Sequence, residues 1–309
     1  MKTLPPDSLT YAEHASDVIA SAAALVRADR PFVLITSLAI EGGAAREVGS
    51  LALVDEAGEM TGYLSNGCID RDIRLQAQDA LRSGSKKLIR YGDGSRYVDL
   101  KLPCGGALSV LIDPAPDRAA IVAAAAGFAA RETVSLRFDG PEEDAPVLTR
   151  TFTYPPRHRL VLAGRGAIFR AMAQIGAATG YEVHAMSPDA ADLEAVAPVL
   201  DAAPIHLTSP NAAPRLSMLD AHSAFLTLFH DHDWEPALLR AALDTEARFI
   251  GSLGSQRTHA LRKEALRQMG VDAASLARLR GPIGLVPSLR DASSIAVSAL
   301  AEVIATLRP

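Results

Sequence analysis

The run Leu160-Val161-Leu162-Ala163-Gly164-Arg165-Gly166-Ala167-Ile168-Phe169 constrains this fold more than any other stretch. A short apolar strand passes through a G-x-G turn into a helix-forming segment. A strand apolar on both faces belongs inside a parallel sheet covered by helices on either side. Gly164 would make the tight turn, and Gly166 would let backbone N–H groups reach a phosphate at the helix N-terminus. Phe169 stands at the third fingerprint position, where glycine is usual, so helix and strand must pack differently there. The second half continues in kind. Residues 167–179 read as a helix and 181–186 as the next strand. Weaker β signals lie at 204–207, 223–229 and 248–250, with helices after Trp234 and Thr258 and a closing helix over 290–307. Such strand–helix alternation is the pattern of a doubly wound parallel sheet.

The first half has a different grammar. Residues 11–27 form an alanine-rich amphipathic segment, and consecutive β-rich runs follow at 32–40, 49–54 and 60–64. A helix over 69–81 ends at Gly84. Strands are expected at 87–91, 97–102 and 108–112, then a helix over 117–131 and a strand over 133–138. Strands in consecutive runs indicate a mixed α+β domain. Residues 141–157 hold four prolines and an acidic patch with little periodicity, which reads as a linker. The expected class is therefore α/β: an α+β domain over 1–140, a linker over 141–157 and a Rossmann-like doubly wound domain over 158–309. A chain of 309 residues fits two such domains.

Only two cysteines occur, and each lies beside glycine. Ser65-Asn66-Gly67-Cys68 joins a strand to a helix, so Cys68 falls near a helix N-terminus, a setting that favours a thiolate. Leu102-Pro103-Cys104-Gly105-Gly106 puts Cys104 where a strand breaks and backbone can approach closely. A reactive pair, two buried fillers and a disulfide all remain open at this point. With no disulfide-scaffold density and no apolar run of roughly 18 residues, a reducing cytosol is expected and a membrane span is not. A net charge of −5 with no compensating basic face argues against nucleic-acid binding.

Three other stretches of the second half carry chemistry. Asp189, just past the second strand, could meet a ribose hydroxyl or cap the following helix. Phe229-His230-Asp231-His232-Asp233-Trp234 follows a strand at its carboxyl end, the usual ligand edge. Its two histidines have no third ligand nearby except aspartates, so His230 is read as a polar ligand contact and Asp233 as a helix cap. Gly251-Ser252-Leu253-Gly254-Ser255-Gln256-Arg257 joins a strand to a helix, and Ser252, Gly254, Ser255 and Arg257 could cradle an anion. No hydrolase elbow, Walker loop or zinc-type cysteine spacing is present.

The order of these pieces resembles the XdhC/CoxI family, accessory proteins for molybdenum hydroxylases such as xanthine dehydrogenase. The resembling pieces include Gly67-Cys68-Ile69-Asp70, Pro103-Cys104-Gly105-Gly106, the Gly164/Gly166 turn, His230-Asp231-His232, Ile250-Gly251-Ser252-Leu253-Gly254-Ser255 and Pro282-Ile283-Gly284-Leu285. The resemblance implies a non-enzymatic carrier of the molybdenum cofactor, in its molybdopterin or dinucleotide form. Such a carrier protects the cofactor, supports its sulfuration and inserts it into an apo-hydroxylase. It implies Cys68 and Cys104 at the molybdenum end, with Asn66, Gly67 and Gly105 beside them. Gly164, Gly166, Ser252, Gly254, Ser255 and Arg257 would then take the anionic tail. Implied partners are the hydroxylase subunit, a cysteine-desulfurase-type sulfurase and a second copy of the chain in a homo-oligomer such as a dimer.

This sequence departs from the family at two places. The run before the first cysteine is Ser65-Asn66-Gly67 rather than glycine-rich, and Ala167 stands where many members have histidine. The alternative from another class is an NAD(P)-dependent oxidoreductase built on the Gly164 turn and Asp189. A thiol–disulfide protein is a third reading, disfavoured because no C-x-x-C occurs.

Overall fold

The computed structural model describes residues 9–10, 12–94, 105–141 and 148–307. The chain divides into two compact units, Met1–Pro156 and Arg157–Pro309. The first contains β1 (Leu9–Thr10), α1 (Ala15–Arg27), β2 (Phe32–Glu41), β3 (Leu51–Asp55), β4 (Met60–Gly62), α2 (Asp70–Ser83), β5 (Lys87–Gly92), β6 (Ala107–Asp113), α3 (Arg118–Ala129), β7 (Val134–Asp139) and β8 (Thr149–Tyr154). Six of the strands form one sheet in the order β1-β4-β3-β2-β6-β5. The β1–β4 pair is parallel and the other pairs are antiparallel.

Both faces of this sheet are covered, which is why β2 reads as a continuous apolar run. Alternate residues point to opposite faces. Phe32 and Leu34 pack with Val18, Ile19 and Ala22 of α1 and Ile121 of α3. Val33 and Ile35 pack with Ile73, Ala77 and Ala80 of α2.

The segment read as a linker carries a strand. β8 pairs antiparallel with β7 from Val134↔Tyr154 to Asp139↔Thr149. Its sequence is Thr-Arg-Thr-Phe-Thr-Tyr, mostly exposed, so alternation leaves only Phe152 and Tyr154 as an apolar signal. Those two side chains fix the hairpin to the unit: Tyr154 Oη donates to the Gly49 carbonyl at 2.8 Å. Burial raises the Tyr154 phenol well above its ordinary range. The expected strand over 97–102 lies outside the described residues.

The second unit contains β9 (Arg159–Gly164), α4 (Ala167–Ala178), β10 (Glu182–Ser187), α5 (Ala190–Val196), β11 (Ile205–His206), β12 (Ser223–Leu228), α6 (Glu235–Leu243), β13 (Phe249–Ser252), α7 (Gln256–Gln268), α8 (Ala273–Arg278), β14 (Leu279–Arg280) and α9 (Ala292–Leu307). Its six strands are all parallel, in the order β11-β10-β9-β12-β13-β14. Chain direction along the sheet reverses between β9 and β12, the switch point where doubly wound sheets open a crevice. Leu160 and Leu162 face α4 and α9. Val161 and Ala163 face the side covered by α6, α7 and α8. This is the expected Rossmann-like α/β architecture.

The unusual Phe169 is fully buried in the α4–α9 core. The close helix–sheet approach lies farther along α4, at Gly176, where a Cβ would fall 2.6 Å from Leu160 Cδ2. The glycine that the fingerprint places at the helix start is thus displaced by two turns. Among the described residues, no helix is long and apolar enough to cross a membrane.

Candidate functional site

At one end of the first sheet, Glu41 of β2, Ala107 of β6 and Gly92 of β5 are register neighbours. Gly105 and Gly106 enter β6 there. A Cβ on Gly106 would lie 2.5 Å from the Gly43 carbonyl and 2.6 Å from that of Glu41, so backbone packs on backbone. The first turn of α2 reaches the same end, because Tyr91 Oη donates to Asp72 Oδ2 at 2.7 Å. The Cys68 loop and the strand start at Gly105 are therefore brought to one end of the sheet. Arg90 spans this end with two bonds to the Glu41 carboxylate, at 2.9 and 2.8 Å. That contact holds Glu41 below the usual carboxylate range.

The loop preceding α2 is organised by a carboxylate. Asp70 is 4% exposed. Its Oδ1 accepts from Leu64 N–H (2.8 Å) and Ser65 N–H (3.2 Å). Its Oδ2 accepts from the Ser65 hydroxyl (2.9 Å) and Gly67 N–H (2.7 Å). Ser65 Oγ in turn accepts from Ile69 N–H at 2.9 Å. Asn66 (φ +47°) and Gly67 (φ +97°) are both left-handed, a conformation that asparagine and glycine tolerate best. Clamped in this way, the loop turns its outer residues to solvent: Asn66, Gly67 and Cys68 are all exposed, and Cys68 is a free thiol. Cys104 lies outside the described residues, while Gly105 is exposed with φ +68°.

In the second unit the Gly164–Gly166 turn has its expected backbone form. A Cβ on Gly164 would strike Leu228 at 2.7 Å, and Gly166 caps α4 with φ +80°. Its amide, however, has an acceptor within the protein. Gly166 N–H donates to Asp192 Oδ2 at 2.6 Å, and Arg170 Nε donates to Asp192 Oδ1 at 2.5 Å. Asp192 is 3% exposed. A buried carboxylate thus stands on the amide that the sequence assigns to a phosphate, and like charge opposes an anion there. Asp189 caps α5, accepting from Ala191 N–H at 2.9 Å and Asp192 N–H at 3.2 Å.

Farther along the same carboxyl edge lies a buried polar network. Glu235, 1% exposed, accepts from Arg262 Nε and Nη2 at 2.9–3.0 Å and from Thr227 Oγ1 at 2.9 Å. Ser252 is the fourth member, its hydroxyl 2.7 Å from that of Thr227. Ser252 is fully buried and so faces this network rather than an anion. His232 Nδ1 lies 3.0 Å from Glu235 Oε2. A cleft of about 600 Å³ opens beside it, lined by Asn211, His232, Asp233, Glu235, Thr258 and Arg262, with Pro210, Pro236, Leu261 and Ala265 as apolar wall.

Asp233 does not cap α6. That helix begins after Trp234 with no side-chain cap, and Pro236 sits in its first turn. Ser255 does cap α7, accepting from Thr258 N–H at 3.1 Å. Gly254, Ser255 and Arg257 remain exposed on that loop, as does His230 on the one after β12. His259, beneath the Gly281 loop, is lowered to about 4 by burial and by the charges of Lys263 and Arg262. Among the described residues, no three His, Cys, Asp or Glu side chains gather as a metal site.

Sequence reasoning passed over Asp70, Asp192, Glu235 and Arg262. Asp70 had a signal, since it closes the Gly67-Cys68-Ile69-Asp70 piece. The other three have their charged or cap partners 22 to 27 positions away, which no local pattern shows.

Residues 160–303 match the XdhC Rossmann domain, and residues 25–92 match the XdhC and CoxI family. The chain is 32% identical over 282 residues to the molybdenum cofactor insertion chaperone PaoD of Escherichia coli K12, covering 88% of this chain and 82% of that one. It is 24% identical over 294 residues to the YqeB protein of the same organism, spanning 46% of that protein's length. A solved structure described as a xanthine dehydrogenase from Bacillus halodurans superposes with a TM-score of 0.74 at 22% identity, over 94% of this chain and 95% of that one. That likeness shows the fold.

Proposed function

The chain belongs to the XdhC and CoxI family, and on that premise we propose that it is a molybdenum-cofactor maturation chaperone. It takes up the cofactor as cargo, shields it, supports its sulfuration and inserts it into an apo molybdenum hydroxylase of the xanthine dehydrogenase type. The observation that carries this reading is the 32% identity with a molybdenum cofactor insertion chaperone over most of both chains. The first unit supports it chemically. Cys68 is an exposed thiol on a rigid loop, and soft thiolates suit a molybdenum–sulfur centre. We assign Cys68, with Cys104, to the metal end, and Asn66, Gly67 and Gly105 to the surrounding backbone.

In the second unit the residues open to an anion are Gly254, Ser255 and Arg257. Arg257 has no ion-pair partner among the described residues, and a free guanidinium beside a helix start suits a phosphate. The nicotinamide-dependent alternative loses support because Asp192 holds the Gly166 amide and Asp189 is spent on a helix cap. Delivery calls for a hydroxylase subunit, sulfuration for a cysteine-desulfurase-type sulfurase, and we place both exchanges in the cytoplasm. Self-association of the chain belongs to the same proposal.

The test is metal and pterin content after anaerobic purification from a cofactor-producing host, wild type beside Cys68→Ser. Wild-type protein should carry molybdenum and pterin together, and the variant should lose most of both. Equal loading of the two would remove the thiol from the proposal. Absence from the wild type would remove the carrier role.

A further inference from the structure

We propose that the cleft flanked by α6 and α7 binds a flat heterocycle offering two adjacent N–H donors, the 2-aminopyrimidinone edge shared by pterins and guanine. The inference deepens the chaperone reading and rests on it only for which of the two sources is met in the cell.

The donor–acceptor logic starts at Glu235. An ionised carboxylate only accepts, so His232 must carry its proton on Nδ1, the atom facing Glu235 Oε2 at 3.0 Å. Arg262 and Thr227 hold that carboxylate in place, and it is 1% exposed, so the tautomer is set by a fixed group. In the neutral ring Nε2 then keeps a lone pair, and the half-exposed side chain lines the cleft. Asp233, the next residue, lines the same cleft and makes no hydrogen bond or ion pair within the described residues.

Two consecutive residues that offer acceptors thus line one cavity. The Glu235–Arg262 pair is neutral overall, which leaves Asp233 as the net charge. Such a site rejects an anion and favours paired donors. Pro210, Pro236 and Leu261 supply apolar faces, and about 600 Å³ accommodates a fused bicyclic ring. Arg262 adds a second mark of a ligand site, because its Nη1 is buried without a partner among the described residues and calls for an acceptor, which the carbonyl oxygen beside the ring N–H supplies. Adenine presents a donor beside an acceptor on its pairing edge and cannot satisfy both groups.

Calorimetric titration of the full-length protein with pterin, guanosine and adenosine tests this. Pterin or guanosine should bind, adenosine should bind at least tenfold more weakly, and Asp233→Asn should weaken the tight ligand at least tenfold. Leu261→Glu, at a wall residue 64% exposed, gives an independent variant that leaves the fold alone and should also weaken it. Binding of pterin alone or guanosine alone names the source. No binding by either, equal binding of adenosine, or indifference to both substitutions would overturn the proposal. A chain that carries molybdenum yet fails these titrations loses only the cleft. A chain that binds pterin in the cleft but never carries molybdenum loses only the chaperone role.

Discussion

Two glycine-bearing loops in this molecule lead into helices, and each is held by one buried aspartate, yet the two end in opposite conditions. Before α2, Asp70 collects three backbone amides and a hydroxyl from inside the loop. That inward clamp leaves the outer face, with Asn66, Gly67 and Cys68, open to solvent. Before α4, Asp192 reaches across from α5 and takes the Gly166 amide from the side a ligand would approach. The first carboxylate builds a platform and the second closes one. A glycine turn at a helix N-terminus therefore states only that amides are exposed. Whether they serve an anion depends on which acceptor reaches them first.

The largest test of that contrast is Asp70→Ala. Four hydrogen bonds to a buried carboxylate disappear, and Leu64 and Ser65 lose their acceptors in a buried setting while Gly67 loses its own at the exposed side of the loop. Destabilisation of about 3 kcal/mol or more is expected, with the Cys68 loop losing its form. Urea denaturation measures the first effect. Hydrogen exchange of the Leu64, Ser65 and Gly67 amides measures the second, and unchanged protection there would show that the clamp is not what shapes the loop.

Asp192→Ala inverts the comparison. It should cost about 2 kcal/mol by orphaning Arg170 and the Gly166 amide, and it should also open that amide to an anion. Sulfate should then raise the melting temperature of the variant much more than that of the wild type, since binding to the folded state alone stabilises it. Equal sulfate effects on both proteins would mean that the carboxylate does not block the turn.

These clamps also mark where sequence reasoning ends. The alternation after residue 158 and the strand runs over 32–64, 87–91 and 108–112 are carried by apolar periodicity, so they were legible. β8 was not, because its Thr-Arg-Thr face is solvated and only Phe152 and Tyr154 speak for burial. Ser252 looked like a cradle hydroxyl because it ends a strand beside glycines; Thr227, itself bonded to Glu235, holds it inward instead. Asp233 has the residue type of a cap but the wrong position, with α6 starting after Trp234. Cys68 and its glycine were legible as a turn ahead of a helix N-terminus. The network that orients His232 was not, since Glu235 meets its arginine only through the packing of α6 on α7.

His259 gives the second unit an acid-sensitive element. Its folded value is about 4 against an ordinary 6.5, so between those limits the unfolded chain binds the extra proton. Stability must then rise with pH through the window and fall as the solution is acidified from about 6.5 to about 4. A loss on the order of 2 kcal/mol is expected across it, and His259→Asn should flatten that part of the profile. Denaturation profiles that stay parallel in the two proteins would assign the acid sensitivity elsewhere.

The smallest expected effect is the most informative about the platform. Cys68 is exposed and its loop is shaped by Asp70, so Cys68→Ser should change folding stability by less than about 0.5 kcal/mol. A thiol used as core filler would instead cost more, because its replacement by a hydroxyl would bury a polar group. Wild-type Cys68 should also be alkylated readily by iodoacetamide in the native protein, while the Asp70→Ala variant should show an altered rate once the loop is released. Near-zero destabilisation together with loss of cargo separates a residue presented for chemistry from one that holds the fold. A large destabilisation would place Cys68 among the structural residues and leave the Asp70 clamp without a function to present.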